Sequence, residues 1–302
     1  MNTKLMNCSI LVLLSIALIV HAKASDGTRP SRGLLKTTGT PVYTYLNINN
    51  ISTVLRNDGT ADIDAQEQNS GLVFPKGSHK TAAFQTGFLW GGVINGEVRV
   101  GGSSYRTGMQ PGKMISPGVA EDPDLPKNRI YRVRNDVYPG GPEVAFASEL
   151  ADEGGSEAGI RTQYETDWVE WPAADGAPFF DKNQNGAYEP DSGDVPGVPG
   201  ADQTIWFVCN DNNSGATTAL YGATPMGMEM QVTIWAYSQQ GALGNMFFKK
   251  YLLIHKGVDP ITNMYVSQWS DVDLGNSTDD YAGCDTTLSL GYTYNANATD
   301  AT

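Results

Sequence analysis

Apolar and polar residues alternate with a period of two over several short segments of the chain, a pattern typical of β-strands. The clearest case is residues 228–237, where Met, Val, Ile and Ala alternate with polar and aromatic residues. The same kind of segment predicts strands at 42–48, 51–56, 130–134, 204–209, 246–255, 264–269 and 288–294. Turn-forming residues separate these segments, and 34 Gly and 16 Pro in 302 residues disfavour long helices.

The strongest local signal is a hairpin within residues 84–105. Two β-prone runs flank Asn95-Gly96, and this dipeptide favours the type I′ turn because both central residues need a positive φ. Residues 106–128 are rich in Pro, Gly and polar groups, so we predict a long connection there.

One segment predicts a helix. Residues 157–171 contain no Pro, and Ile160, Tyr164, Trp168 and Trp171 are spaced 4, 4 and 3 apart on one helical face. Pro172 should end the helix. We expect these aromatic residues to form the buried face of the helix.

The fold class predicted from these patterns is mostly β, with one or two β-sandwich-like units, a short helix and long loops. We divide the chain into five regions. These are a signal peptide at 1–24, a flexible N-terminus at 25–40, a β-rich region with the Asn-Gly hairpin at 41–135, a loop and helix segment at 136–200, and a second β-rich region at 201–302.

The signal peptide is predicted from three features. Lys4 precedes an apolar run at 10–20, and Ala22-Lys23-Ala24 places small residues where a signal peptidase cleaves. The apolar run is shorter than the roughly 20 residues of a membrane-spanning helix. The sequence therefore predicts an exported protein with no integral membrane segment after cleavage.

The best chemical motif is an acidic loop, in which oxygen-bearing residues occupy positions 1, 3, 5 and 9 and Gly186 occupies position 6. Calcium takes six to eight hard oxygen ligands, and alternate side chains with one backbone carbonyl can supply them. Ser192 stands where an EF-hand has its bidentate Glu, so Asp191 or Asp194 is the alternative carboxylate. The predicted calcium ligands are Asp181, Asn183, Asn185, Ala187 (through its carbonyl), Glu189 and Asp194. A solvated turn has the same composition, and that alternative stays open.

A second acidic cluster follows the last long apolar segments. Its five carboxylates repel each other unless a cation or water relieves them, so calcium binding and a solvated loop are both consistent with it. The cluster consists of Asp271, Asp273, Asp279, Asp280 and Asp285.

After signal cleavage two cysteines remain, Cys209 in an apolar run and Cys284 in the second acidic cluster. An exported chain can join such a pair in a disulfide. The alternative is a buried thiol and an unrelated loop cysteine, and the sequence does not decide between them.

The net charge of −13, from 33 acidic and 20 basic residues, argues against nucleic acid or an anionic membrane as a partner. The catalytic motifs of nucleophilic hydrolases, zinc peptidases and nucleotide-binding proteins do not occur, so we predict no catalytic residue. A glycan-degrading enzyme needs only two carboxyls, and Glu165, Asp167 and Glu170 beside Trp168 and Trp171 keep this alternative open.

Several phrases of the sequence occur together in one group of proteins. They are residues 95–102, 168–172, 176–189, 201–211, 269–275 and 279–285. As a set, they resemble the N-terminal part of large, mostly uncharacterised secreted proteins of the Bacteroidetes–Ignavibacteria–Chlorobi group.

This resemblance implies a β-rich, multidomain protein that often ends in a β-sandwich sorting domain read by the type IX secretion machinery. No such domain precedes Thr302, so we expect a fragment of a longer product, or a chain that leaves the cell by another route.

Together these features predict a secreted or cell-surface, calcium-stabilised β protein with a structural, adhesive or binding role. Glycans or other surface proteins are the expected partners. The alternatives are a carbohydrate-binding module or glycan-degrading enzyme, and the non-catalytic part of a secreted peptidase.

Overall fold

The structure is a computed structural model and describes residues 42–64 and 69–297. The predicted signal peptide at 1–24 and the predicted flexible N-terminus at 25–40 lie outside the described residues. Strands make up 39% of the described residues and helices 16%, which confirms the predicted mostly-β fold class.

The strands of the described residues are β1 Tyr43–Leu46, β2 Thr53–Arg56, β3 Leu72–Val73, β4 Thr81–Ala83, β5 Gln85–Ile94, β6 Glu97–Gly102, β7 Gln110–Pro111, β8 Met114–Ser116, β9 Val119–Ala120, β10 Tyr131–Arg134, β11 Phe179–Phe180, β12 Val195–Pro196, β13 Gln203–Asn210, β14 Met228–Ala236, β15 Phe247–His255, β16 Thr262–Asp271, β17 Asp280–Asp285 and β18 Leu290–Asn295. The α-helices are α1 Ala147–Glu153, α2 Glu157–Val169 and α3 Ser214–Tyr221.

Two antiparallel sheets share the main core. The larger has the order β10-β13-β14-β15, with β7 also paired to β13, and the smaller has the order β16-β5-β6. Phe88 of β5 stacks on Tyr251 of β15, with ring centroids 4.2 Å apart, and Trp90 and Ile234 join the same buried cluster. The β-rich regions at 41–135 and 201–302 therefore contribute to one hydrophobic core.

The Asn-Gly hairpin forms as predicted. β5 pairs with β6 through Ile94 and Glu97, and the two turn residues between them, Asn95 and Gly96, have φ values of 52° and 83°. The residue types alone demand this geometry, since Asn and Gly tolerate positive φ best.

Strand β14 occupies the position predicted from its alternation, but the alternation does not separate a buried face from an exposed one. Glu229, Gln231 and Thr233 are buried along with the apolar residues between them. The strand lies between β13 and β15 in the larger sheet, and Met114 of β8 donates its N–H to Glu229 on the polar face.

The predicted helix corresponds to α2, where Ser156 caps the first turn by accepting the Gly159 N–H at 3.2 Å. Ile160, Tyr164 and Trp168 are buried as expected, and Trp171 is buried just beyond the last turn. Helices α1 and α3 were not predicted. Asn213 caps α3, and this Asn was the signal that could have located it. Among the described residues, no helix is both long enough and apolar enough to cross a membrane.

Candidate metal centre

The acidic loop at 181–194 is held at its base by a short antiparallel ladder. β11 precedes the loop and β12 follows it, with Phe179 opposite Pro196 and Phe180 opposite Val195. The loop therefore leaves and re-enters the fold at one point, which brings side chains from both of its ends close together.

Asp181 organises the first half of the loop. Its carboxylate accepts the backbone N–H groups of Gln184 at 2.6 Å, Asn185 at 3.3 Å and Gly186 at 2.7 Å. Gln184 and Gly186 both have positive φ, at 60° and 80°, and the glycine accommodates this conformation without strain. The backbone thus wraps around the Asp181 carboxylate.

Asn183, Asn185 and Glu189 converge on the same side of the loop. Their contacts are direct: the Nδ2 groups of Asn183 and Asn185 donate to Glu189 Oε2 at 3.1 and 2.8 Å. The Oδ1 atoms of the two asparagines accept the backbone N–H groups of Asn185 and Ala187. In this arrangement two neutral amides donate hydrogen bonds to one carboxylate.

Asp194 has a different role from the other predicted ligands. It is 1% exposed, and its two oxygens accept the backbone N–H groups of Lys182 at 2.9 Å and Glu189 at 2.8 Å. It therefore ties the two ends of the loop together from beneath. Asp191, the other candidate for the twelfth-position carboxylate, is exposed on a 3-10 turn at Pro190–Ser192.

The loop is anchored to the rest of the fold through Tyr188. Its hydroxyl donates to the Trp168 carbonyl at the end of α2 at 2.6 Å, and its ring meets Phe179 edge-on. Burial raises the pKa of Tyr188, so the hydroxyl stays protonated and keeps donating. The loop is therefore attached to α2 as well as to the β11–β12 ladder.

These residues fit a hard cation. Carboxylate and amide oxygens each have more than one lone pair, so an oxygen that accepts a backbone N–H can still bind a cation. Asp181, Asn183, Asn185, Glu189 and the carbonyl of Ala187 supply only oxygen donors, which calcium prefers. Such donors would hold calcium by its positive charge, and water would complete its coordination.

The five residues of the second acidic cluster do not all lie together, because Asp285 is at the far end of the β17–β18 hairpin from Asp280. Asp271 accepts the Tyr105 hydroxyl at 2.8 Å, and Asp273 accepts the Ser70 hydroxyl at 3.3 Å. Asp279 and Asp280 lie instead at the base of the β17–β18 hairpin. Asp285 lies at the other end of the same hairpin.

The contacts of Asp285 are those of a turn cap. Its Oδ1 accepts the N–H groups of Thr287 and Leu288, and hydrogen bonds to the Thr287 side chain and backbone lower the pKa of this carboxyl. The acidic segment at 280–285, which was predicted to be a loop, forms strand β17.

Both cysteines are free in the structure. Cys209 is fully buried in the main core, where its Sγ lies 3.7 Å from the sulfur of Met109. Burial raises the pKa of this thiol well above its usual value. Cys284 is exposed on β17. The structure therefore has two separate thiols at these positions and no disulfide between them.

The carboxylates on and beside α2, which left a glycan-degrading enzyme as an alternative, each pair with an arginine. Asp167 is 1% exposed and accepts from Arg129 Nη2 at 3.0 Å and from the Arg132 N–H at 3.0 Å. Glu170 pairs with the same Arg129 at 2.9 Å. Glu165 lies 3.7 Å from Arg161, one helical turn away.

A fully buried carboxylate in the larger sheet was not predicted from the sequence. Glu229 is 0% exposed, and it accepts from Lys256 Nζ at 2.6 Å and from the Met114 N–H at 2.8 Å. Lys256 also donates to the Met114 carbonyl at 2.9 Å. No local pattern marks Glu229, because its partners come from other parts of the chain.

A polar cavity beside α1 was also not predicted. It has a volume of about 150 Å³. Lys76 Nζ donates to Ser148 Oγ at 2.7 Å and to the Asn47 carbonyl at 2.6 Å. A half-buried amine therefore braces one wall, and its partial burial lowers the pKa of Lys76. The lining residues are Asn47, Ile48, Arg134, Ala145, Ala147, Ser148 and Glu149.

No protein family, curated protein or solved structure matches the chain.

Proposed function

We propose that this chain is an exported, calcium-stabilised β protein that acts at the cell surface or outside the cell in a structural, adhesive or binding role. The observation that carries the proposal is the loop at 181–194, where five oxygen-bearing residues surround one turn. The predicted signal peptide and the net charge of −13 support an extracellular setting.

In this proposal calcium is structural. The loop connects to the C-terminal end of α2 through Tyr188 and to the β11–β12 ladder at its base. A cation that binds Asp181 and Glu189 would replace the two amide contacts to Glu189 and fix the loop to both of these elements. Extracellular modules use calcium in this way, with Kd values on the order of 10⁻⁴–10⁻³ M.

Thermal unfolding with and without calcium tests the proposal. At 10 mM calcium, a Kd of about 10⁻⁴–10⁻³ M adds roughly 1.4–2.7 kcal/mol to the free energy of unfolding. For a chain of this size the Tm should then rise by roughly 3–10 °C relative to EGTA.

The Asp181→Ala variant should lose most of this rise, because Asp181 supplies the central carboxylate of the loop. Magnesium, which dehydrates reluctantly and demands octahedral geometry, should give a smaller rise. Equal melting temperatures in EGTA and calcium would show that the loop is a solvated turn.

A second candidate function is glycan binding, favoured by an exposed tyrosine face on the β17–β18 hairpin. Tyr281, Tyr292 and Tyr294 are each about half exposed, and their ring centroids lie 5.8 and 6.0 Å apart. Aromatic rings of this kind offer an apolar surface with a polar tip, which suits a sugar ring.

Affinity electrophoresis in gels that contain soluble polysaccharides tests this candidate. Tyr294→Ala should restore the mobility that binding retards, and Tyr265→Ala, at an exposed tyrosine on β16, is the matched control. Unretarded mobility of the unmodified chain in every polysaccharide would exclude the candidate.

A further inference from the structure

A lysine and an aspartate are buried side by side where the two main sheets meet. Lys249 lies on β15 of the larger sheet and contacts Thr86 on β5 of the smaller sheet. Its Nζ lies 3.7 Å from Oδ2 of Asp62, and the side chains of Lys249 and Asp62 are 9% and 1% exposed. Side chains of these two types are almost never fully buried unless they are paired, so each depends on the other.

Asp62 is held in place by its backbone and by two hydroxyl groups. Its N–H donates to the Val54 carbonyl at 2.8 Å, and its carbonyl accepts the Gly71 N–H at 2.6 Å. The Thr53 hydroxyl donates to Oδ1 of the Asp62 carboxylate, and the Thr86 hydroxyl donates to Oδ2. These four hydrogen bonds fix the carboxyl carbon beside the lysine amine.

The ammonium group of Lys249 is poorly satisfied as an ion. It carries three N–H donors, yet among the described residues its Nζ makes a single hydrogen bond, to Thr86 Oγ1 at 3.3 Å. On another side, Nζ faces the ring of Phe247, whose centroid is 5.2 Å away. Buried donors without an acceptor are unfavourable. An amide nitrogen at the same place has one N–H, for which Thr86 Oγ1 is a sufficient acceptor.

Thr86 connects the amine to the carboxylate through its hydroxyl. The hydroxyl oxygen accepts from Lys249 Nζ while the hydroxyl proton is donated to Asp62 Oδ2. A hydroxyl in this position can take a proton from the amine and pass its own to the carboxylate, which leaves a neutral, nucleophilic amine. The Thr53 hydroxyl at Oδ1 lies where negative charge develops when an amine attacks the carboxyl carbon.

We infer that Lys249 and Asp62 form an intramolecular isopeptide bond across the core. Nζ of Lys249 attacks Cγ of Asp62, the Nζ–Cγ bond forms, and the Cγ–Oδ2 bond breaks. Two of the three ammonium protons leave with Oδ2 as one water molecule. The ammonium and the carboxylate thus become one neutral amide, and the step needs no oxidant, reductant or other reactant.

Burial favours this condensation over hydrolysis. Phe247 and Tyr251 flank Lys249 on the same face of β15, and both belong to the main hydrophobic core. Water is excluded from such a site, and the amide removes two charges that are costly to bury. Groups held side by side also react with a high effective concentration.

The bond would tie β15 of the larger sheet to the segment that follows β2. It would close most of the described chain into a loop, and a cross-link of this kind stabilises a protein by restricting its unfolded state. The pair shares no residue with the loop at 181–194, so the inference does not depend on calcium binding there.

Mass spectrometry of the purified, unmodified chain tests the inference. We expect the denatured chain to be lighter by one water molecule than the mass calculated from its observed N-terminus. A tryptic digest should contain a branched peptide that joins Lys249 to Asp62, with no cleavage after Lys249. A chain of full mass with both residues in unlinked peptides would overturn the inference. Loss of water without the branched peptide, as in a cyclic imide at an aspartate, would overturn it too.

Three variants locate the bond. Lys249→Met and Asp62→Ala should each restore the full mass, because each removes one reacting group. Lys250→Arg, at the exposed next position of β15, is the matched control and should still lose one water molecule. A loss that persists in both Lys249→Met and Asp62→Ala would overturn the inference. Circular dichroism shows whether each variant is folded, and the peptide map of the unmodified chain decides the question even if a variant is not.

The role of Thr86 as a proton relay has its own test. Thr86→Val keeps the shape of the side chain but removes the hydroxyl between the amine and the carboxylate. Thr53→Val removes a hydroxyl that contacts the carboxylate alone. In samples taken at intervals after synthesis, the linked fraction should grow more slowly in Thr86→Val than in Thr53→Val. Equal rates in the two variants would overturn the relay.

Discussion

Replacing Asp194 with asparagine tests whether this residue braces the candidate calcium loop or binds the cation. Asp194 is buried and accepts one backbone N–H on each oxygen, from Lys182 and Glu189. Asparagine keeps one acceptor but presents an NH₂ group to the second N–H. One backbone donor then loses its partner and faces another donor.

The size of the effect follows from these two hydrogen bonds. A buried donor left without a partner costs about 1–3 kcal/mol, and bonds to an ionised carboxylate are roughly twice as strong as neutral ones. We therefore expect Asp194→Asn to lower the free energy of unfolding by about 2–3 kcal/mol. At about 2–4 °C per kcal/mol, the Tm in EGTA should fall by roughly 4–12 °C.

The assay is thermal unfolding in EGTA and in 10 mM calcium for Asp194→Asn, Asp181→Ala and a control, Asp191→Asn. The control removes the same charge from an exposed position of the same loop. Asp194→Asn should melt earlier in EGTA yet keep a calcium-dependent rise, because the oxygens of Asp181, Asn183, Asn185 and Glu189 remain.

Asp181→Ala should show the opposite pattern. Its carboxylate lies in an exposed part of the loop, where water can replace its hydrogen bonds, so the Tm in EGTA should change little and the calcium-dependent rise should disappear. If Asp194→Asn left the Tm in EGTA unchanged but removed the calcium-dependent rise, Asp194 would be a ligand and the reasoning about its backbone contacts would be refuted.

Three further predictions concern other parts of the fold. Burial raises the pKa of Asp211 from 3.8 to about 6, so the folded state holds this proton more tightly; its stabilising contribution is complete below about pH 4 and is lost as the pH rises through 6. The difference in urea midpoint between the unmodified chain and Asp211→Asn should therefore decrease as the pH is raised from 4.5 to 7. A difference that does not change with pH would contradict the burial argument. Cys284 should react with a thiol reagent in the native protein and Cys209 only after unfolding, whereas an absence of reaction at both sites in denaturant would indicate a disulfide. Gly96→Ala should lower the free energy of unfolding by about 1–2 kcal/mol, because Gly96 has a φ of 83°, which alanine disfavours. A Cβ there meets no other atom, so this backbone conformation is the whole cost. Equal stability in chemical denaturation would show that the turn relaxes.

Features determined by neighbouring residues were predictable from the sequence. Asn95-Gly96 predicts its own turn because the positive φ values depend on these two residue types. The helical spacing of Ile160, Tyr164 and Trp168 predicts the buried face of α2 because all three belong to one element. The candidate calcium loop could be found for the same reason, since most of its oxygen-bearing residues lie within nine positions.

Features that depend on distant contacts were not predictable. The alternation in β14 indicates one polar face, yet Glu229 on that face is buried because Met114 and Lys256 cover it. The five aspartates of the second cluster look like one group in the sequence, but the β17–β18 ladder separates Asp285 from Asp279 by the length of the hairpin.

The sequence by itself determined the mostly-β class, the Asn-Gly hairpin, helix α2 and the residues that form the acidic loop, because period, turn chemistry and ligand spacing act over a few neighbouring residues. Only the tertiary structure decided that Asp194 braces this loop from beneath, that Asp167 pairs with Arg129, and that Cys209 and Cys284 are separate thiols. The physical reason is that burial and pairing depend on which distant segments cover a side chain. The period of a strand does not contain that information.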